Sequence, residues 1–450
     1  MLSTFNIWLV VVYFLLVIGI GWWVKRSETA QGFLIGERKV SLFQSVASIF
    51  AVLGGVVIVG QAALAFDVGF GAMWLWIGLA LGMIILGLNV HKIKALSKAK
   101  KFLTISDYIF EKFGNRSGKL AAVILFLAFF ALLTGQFVAA GSLFAPLLGI
   151  SYPIAVLIMG LGTLGYLMLG GFSAVVKTDV LQFIIMIAIF VLIVLNIDTG
   201  VIGQSQFTLT SLDGMTTVSL ILIGMFTVFA APDIWQRIFA AKDAKTAKKA
   251  SIISSILFVL FGIVLTIIGI AAKNNFPGIE SSEALFYGLF ELVPEALLGA
   301  GVIAMLAAIM STIDTELFYL SSSIAKDFTD RTKEQTNEKL VKNIHKALIV
   351  IAIVSAIVAI FFSNIVTLLF ALLSLTMAVS PLVICSLFFK VKRDAAFSSM
   401  ALGLLSFILL LVIGQLTPET AVITLPAAFV GLILGQMFGK RSLPTGNISH

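Results

Sequence analysis

The chain has 450 residues, of which 60% are hydrophobic and 12% charged, and its formal net charge is +8. A water-soluble globular domain is about half apolar and about a quarter charged, so the composition excludes a soluble core and calls for a bilayer around the chain. The basic excess does not indicate nucleic acid, because it lies in short loops between apolar runs.

A spanning helix takes about 20 mainly apolar residues. The chain offers about thirteen such runs, near 5–24, 41–66, 71–90, 119–146, 152–172, 175–197, 217–240, 248–272, 298–325, 343–363, 367–389, 396–416 and 420–438. The first has no basic residue before it and Lys25 and Arg26 directly after, the reverse of a signal peptide. It reads as a retained helix with its N-terminus outside. All but one of the 30 Lys and Arg residues then fall in odd-numbered gaps or at the C-terminus, Lys273 being the exception. Even gaps hold Asp198, Asp213, Glu280, Glu283, Glu291, Glu295 and Glu419. The positive-inside rule therefore puts the odd gaps and the C-terminus in the cytoplasm of a multi-pass plasma (inner) membrane protein. The single cysteine, Cys385, excludes an intramolecular disulfide, and no His/Cys cluster has metal-ligand spacing.

The second run carries Gly54 and Gly55 in its middle and the amide of Gln61. In the third gap, Thr104 to Gly114 has apolar residues at helical spacing and a terminal glycine. It reads as a helix on the membrane interface or a plain connector. At the start of the sixth run, Thr178 and Asp179 are either helix caps or functional groups. The seventh run sets Thr227 between Gly224 and Pro232 and ends in Asp233. Arg237, four residues on, is placed to pair with Asp233. Interruptions in runs five helices apart point to a transporter built from inverted repeats.

The ninth run is the richest in oxygen. Ser311, Asp314 and Thr315 share one helical face, and Ser321 and Ser322 follow. Hard cations take oxygen ligands. Hydroxyls that merely bond back to their own helix are the alternative, but that does not account for a carboxylate.

Three segments carry a family resemblance: Gly170-Gly-Phe-Ser-Ala-Val-Val-Lys-Thr-Asp-Val-Leu-Gln182, Pro232-Asp-Ile-Trp-Gln-Arg-Ile-Phe-Ala-Ala241 and Ala307-Ala-Ile-Met-Ser-Thr-Ile-Asp-Thr315. In order and placement they resemble the sodium:solute symporter family, over most of the chain from about Phe33 to Phe389. The resemblance implies an all-α polytopic membrane protein with a leucine-transporter-like fold. Within a single transmembrane domain over 1–450, a leading helix and loop (5–40) precede two inverted five-helix repeats (41–197 and 217–390), and two helices trail (396–438).

It also implies Na⁺-coupled uptake of a small solute by alternating access, with Na⁺ the only cofactor and the monomer as the working unit. By the same resemblance, Ser311, Thr312 and Ala308 match the sodium ligands of the ninth run, joined by carbonyls near Phe50 and Leu53. Asp179 matches an acid near the sodium exit path. Asp179, Asp314 and Thr315, with Ser311, match a second sodium site present in some members.

Galactose-carrying relatives surround the sugar with several polar groups, whereas Gly224 to Ala231 here offers only Thr227 beside Phe226 and Phe229. Gln61, Gln136, Ser374 and Thr376 are further substrate candidates. A pocket this apolar would leave a sugar's hydroxyls unpaired, so the expected solute is an amino acid such as proline, or else a monocarboxylate. A non-transporting sensor would need an attached signalling domain, and a membrane enzyme would need a catalytic constellation that the sequence lacks.

Overall fold

The computed structural model describes residues 4–26, 28–196, 208–209, 211–292, 298–330, 335–362, 365–416 and 418–439. Asp198 and Glu295, named above, and the basic residues Arg331, Lys333, Lys440 and Arg441, counted above, lie outside the described residues. Apart from one isolated bridge between Val40 and Ala241, the regular structure described is helical. The first elements are α1 (Thr4–Lys25), α2 (Ala30–Ile35), α3 (Leu42–Ala51), α4 (Gly55–Val68), α5 (Met73–Ala99) and α6 (Ile105–Leu148). Next come α7 (Tyr152–Asn196), α8 (Gly214–Phe229), α9 (Pro232–Ala240), α10 (Ala244–Asn275), α11 (Ala284–Leu292) and α12 (Leu298–Lys326). The last are α13 (Asn337–Phe361), α14 (Ile365–Phe388), α15 (Arg393–Val412), α16 (Pro418–Ala421) and α17 (Thr424–Phe438).

Local chemistry explains where several of these begin. The Ser41 hydroxyl and the Gln44 side chain form a capping box at the start of α3. Asp213 and Asp243 cap α8 and α10 by accepting backbone N–H groups. Pro232 occupies the first turn of α9, where its missing N–H costs nothing.

Among the described residues, eight helices are long and apolar enough to cross a bilayer, or nine if the pair α8–α9, bent by 45°, is one span. The apolar runs outnumber them because two candidate spans, Gly55–Ala99 and Tyr152–Leu192, each cross an expected gap, and because the apolar helices Val10–Lys25, Leu42–Ala51 and Thr424–Phe438 are shorter than a span. The clearest case is α7, whose only non-helical residue is Gly171 at φ 50°, ψ −137°. Tyr166 and Thr178 would stand about 18 Å apart on a straight helix. Both hydroxyls nevertheless lie near one oxygen of Asp314, at 2.5 and 3.4 Å. The chain must therefore bend at Gly171, and α7 is two helical segments joined there. A Cβ at Gly171 would stand 2.6 Å from the Phe33 ring and 2.7 Å from its carbonyl oxygen. Its backbone region is essentially reserved for glycine, at a cost of about 1–3 kcal/mol for other residues. Gly171→Ala should lower the melting temperature of the purified protein clearly, and an unchanged value would refute the tight break at Gly171.

The α6 helix breaks in the same way at Gly114, φ 83°. The segment before it packs its apolar residues on protein. Ile105, Tyr108 and Ile109 are buried, the Tyr108 ring packs on Trp235 at 5.1 Å, and its hydroxyl meets Ser386 Oγ at 2.8 Å. An amphipathic stretch does not by itself name its apolar partner, and Tyr108 meets residues of α9 and α14.

The loops sort into two faces. On one, Arg38 donates to the carbonyls of Phe239 and Phe102, and Lys94 also donates to that of Phe239. Lys326 pairs with Asp107 at 2.7 Å, and Lys92 donates to the Leu387 carbonyl. These bonds join the first, third, seventh, ninth and eleventh gaps. On the other face, Lys273 donates to Asp67 O and Ser211 to Val68 O. Charge asymmetry read from the sequence thus corresponds to a spatial division.

Candidate functional site

The second apolar run is two helices with a break between them. Helix α3 ends at Ala51, and α4 starts at Gly55 with Gly54 in extended conformation as its N-cap. A helix end leaves carbonyls without intrahelical partners, and here they are taken from outside. Ser48 O accepts Arg237 Nε at 2.9 Å, and Ala51 O accepts the Ser311 hydroxyl at 2.7 Å. The Thr312 hydroxyl lies 3.3 Å from Val52 O. Both hydroxyls also approach Ala308 O, at 2.9 and 3.3 Å. Five oxygens from α12 and the break therefore crowd together, two of them hydroxyls and three carbonyls. Gly54 is what permits it, since a Cβ there would overlap Thr312 Oγ1.

The carbonyls facing the hydroxyls are those of Ala51 and Val52, between the expected Phe50 and Leu53. The Phe50 carbonyl accepts Leu53 N–H at 3.1 Å, and its ring packs edge-on to Phe183 and Phe261. The register of a break depends on backbone conformation, which aligned glycines some residues away do not determine.

Beside this knot, a cavity of about 650 Å³ runs towards the face carrying Ser282, Glu283 and Tyr287. Its inner end is lined by Gly55, Ala308 and Ile309. The opposite face is held shut by the Arg38, Lys94 and Lys326 bonds, and by Asp327, which accepts from Thr104 and Ser323.

Asp179 lies within α7 and caps nothing. Its Oδ2 receives Arg237 Nη2 at 3.0 Å and the Ser48 hydroxyl. The same guanidinium nitrogen donates to Thr315 Oγ1 at 2.8 Å. Nor does Thr178 cap a helix, because its hydroxyl bonds back to Ala174 O and Val175 O. The expected Asp233–Arg237 pair does not form: Arg237 reaches the backbone carbonyl of Asp233 at 3.2 Å, and one Asp233 oxygen accepts Ile234 N–H. Spacing of i,i+4 pairs charges on an exposed helix, whereas α9 is buried throughout and offers its guanidinium better acceptors on α3, α7 and α12.

Asp314 accepts the Tyr166 hydroxyl at 2.5 Å and lies 3.3 Å from Thr315 Oγ1. Ser48, Tyr166 and Arg237 are thus site residues that sequence reading missed. Each is a polar group inside an apolar run, and Arg237 was read only as the local partner of Asp233, which hid its reach to other helices. Outside the membrane segments, burial pushes the Glu28 carboxyl up to about 7, against the opposing effects of the Ser173 hydroxyl and Lys177.

The substrate candidates divide. Gln136 is buried at the break, its Oε1 accepting Val56 N–H at 3.3 Å. Gln61 turns to α10, where it donates to Thr266 Oγ1 at 2.9 Å. Gly224 packs against the α5 backbone at Leu75, and Phe229 is buried near Phe226. Thr227 and Thr376 bond back to Ile223 O and Leu373 O, and Ser374 meets Thr424 at 2.6 Å. None of the seven candidates is among the residues lining the cavity beside the break.

A model of the sodium:solute symporter family matches residues 33–403. The sodium/pantothenate symporter of Haemophilus influenzae is 29% identical over 461 residues, covering 93% of this chain and 90% of its own. Sodium/proline symporter 2 of Staphylococcus saprophyticus is 30% identical, covering 90% and 85%. Among solved structures, an outward-open Na⁺-coupled sialic acid symporter superposes with a TM-score of 0.78 at 21% identity, over 97% of this chain and 98% of its own. A nucleobase-cation-symport-1 family transporter in a closed conformation gives 0.60 at 16% identity, over 90% and 93%.

Proposed function

The chain belongs to the sodium:solute symporter family, and from that premise we propose that it imports an amino acid such as proline together with Na⁺. The observation that carries the sodium reading is the group of five oxygens from Ala51, Val52, Ala308, Ser311 and Thr312. Neutral oxygens this close repel unless hydrogen bonds or a cation hold them. A hard cation is the ligand such a set suits. Curated relatives that carry proline support the solute.

In this reading, Na⁺ enters through the cavity and lodges between α12 and the break. Its charge draws the α3–α4 and α12 elements together. Release requires the opposite face to open, which means breaking the Arg38, Lys94 and Lys326 bonds. We place that face in the cytoplasm on its basic charge, and the conformation described is then the outward-facing one. About thirteen spans follow if α7 counts twice and the broken helix once, arranged as one leading helix, two inverted five-helix repeats and two trailing helices in a protein working as a monomer. We assign Asp179, Asp314 and Thr315 to the ion's way out rather than to a second sodium, because Arg237 already supplies the cation between Asp179 and Thr315.

Purified protein in proteoliposomes tests this. Inward uptake of labelled proline should require an inward Na⁺ gradient and increase with an inside-negative potential. One charge moved through 100 mV is worth about 2.3 kcal/mol. Uptake that followed a proton gradient and ignored Na⁺ would refute sodium coupling.

A further inference from the structure

Helix α1 carries a groove on its outer side. Tyr13, Val17 and Val24 are buried against the rest of the protein. On the face turned away from them, Val12, Leu15, Leu16, Gly19, Ile20 and Trp23 line an open groove of about 420 Å³. These residues recur at helical spacing, so they form one stripe along the helix. Gly19 makes the notch in its middle, because a Cβ built there would meet nothing within 4 Å. From Val12 to Trp23 the stripe rises about 16 Å, which is roughly half of a hydrocarbon core about 30 Å thick. It finishes at the end of α1 that carries Lys25.

Cations gather at that end. Lys177 Nζ, from α7, lies 4.3 Å over the ring of Trp23, the last residue of the groove. Arg26 continues the turn, its N–H bonded to the Trp23 carbonyl at 3.3 Å, and its guanidinium stacks 3.7 Å over the Trp22 ring. Lys25 is exposed beside them. Among the described residues none of the three forms an ion pair. Glu28, the acid whose charge reaches Lys177, is half-buried and accepts the Ser173 hydroxyl at 3.1 Å. Trp rings settle at the level of lipid headgroups, so these charges stand where phosphates lie, with an apolar groove leading away from them into the bilayer.

We infer that this groove holds an acyl chain of one anionic phospholipid, whose phosphate is bound by Lys25, Arg26 and Lys177. Length and charge choose the occupant. A groove one leaflet deep suits a lipid chain, whereas a second copy of the protein would lay a helix along the whole span. Two copies side by side in one membrane would also set their cation clusters at the same height, where like charges repel. A phosphate brings the opposite charge, and basic residues next to a membrane helix attract anionic lipid. The Trp22 and Trp23 rings hold two of the cations in place beforehand. Val24 packs at Gly170, next to the break in α7, so a lipid held here braces α1 against α7. The site is independent of which solute is carried.

Native mass spectrometry of the full-length protein in detergent, titrated with dioleoylphosphatidylglycerol or dioleoylphosphatidylcholine, tests this. The parent should retain one phosphatidylglycerol at a saturable site and bind phosphatidylcholine about tenfold more weakly. Gly19→Leu fills the notch and should abolish that site. Its melting temperature without lipid should not fall, because leucine is the better helix former and its Cβ meets no neighbour. Arg26→Gln and Lys177→Gln should each weaken phosphatidylglycerol about fivefold and leave phosphatidylcholine unchanged. Glycerol phosphate, the headgroup without chains, should not compete. Equal binding of the two lipids, or full retention of phosphatidylglycerol by Gly19→Leu, would overturn the inference. Competition by glycerol phosphate would overturn it in favour of a free phosphate ligand. A dimeric parent that Gly19→Leu turns into a monomer would overturn it in favour of a second copy. If Gly19→Leu does not fold, the two charge variants decide.

Discussion

Ser311→Ala and Thr312→Ala should each raise the Na⁺ concentration for half-maximal uptake by roughly 10- to 150-fold, the range expected for losing one polar contact to a charged group at about 1.5–3 kcal/mol. The effect is large because the knot has no charged ligand to fall back on. Its oxygens are all neutral, so each is a sizeable part of the cation's hydration substitute. The fold should survive both changes. The Ser311 hydroxyl serves Ala51 O and Ala308 O, and Ala308 O also lies within the reach of its own helix. Sodium titration of uptake, with surface expression measured alongside, checks this. Two single variants with the parent Na⁺ response would move the sodium site elsewhere.

Arg237→Met should destabilise the protein by about 3–5 kcal/mol, the usual result of removing one partner from a buried ion pair. Both side chains of the Arg237–Asp179 pair are almost fully buried. Without the guanidinium, Asp179 keeps only the Ser48 hydroxyl, and Thr315 and the Ser48 carbonyl lose their donor. The double variant Arg237→Met with Asp179→Leu removes the orphaned charge as well. It should recover most of the stability, since replacing a whole buried pair by apolar groups is often close to neutral. It should not recover transport if Asp179 lies on the ion's way out. Melting of the three proteins in detergent, followed by uptake assays, separates the two roles. Equal melting of Arg237→Met and the parent would refute the buried pair.

Much of this protein was legible from residue chemistry alone. The membrane class follows from composition, because no soluble core absorbs so apolar a chain. The sorting of loops into two faces follows from Lys and Arg, because bilayer crossing forces consecutive gaps to alternate. The shared face of Ser311, Asp314 and Thr315 was legible because helical spacing is a local property, whereas Thr312 entered only through the family resemblance. Only the tertiary structure decided the rest. Which carbonyls meet those hydroxyls depends on where α3 stops, a matter of one or two backbone dihedrals at Ala51 to Gly54. Whether Arg237 pairs with Asp233 or Asp179 depends on which helices bury α9, since a long side chain reaches several partners and desolvation selects among them. Thr227, Ser374 and Thr376 read as pocket hydroxyls in the sequence, yet a hydroxyl in an apolar helix satisfies itself on the nearest carbonyl or neighbouring helix, and only packing reveals which ones do. Local pattern identifies the groups that can act, and long-range packing determines which of them meet.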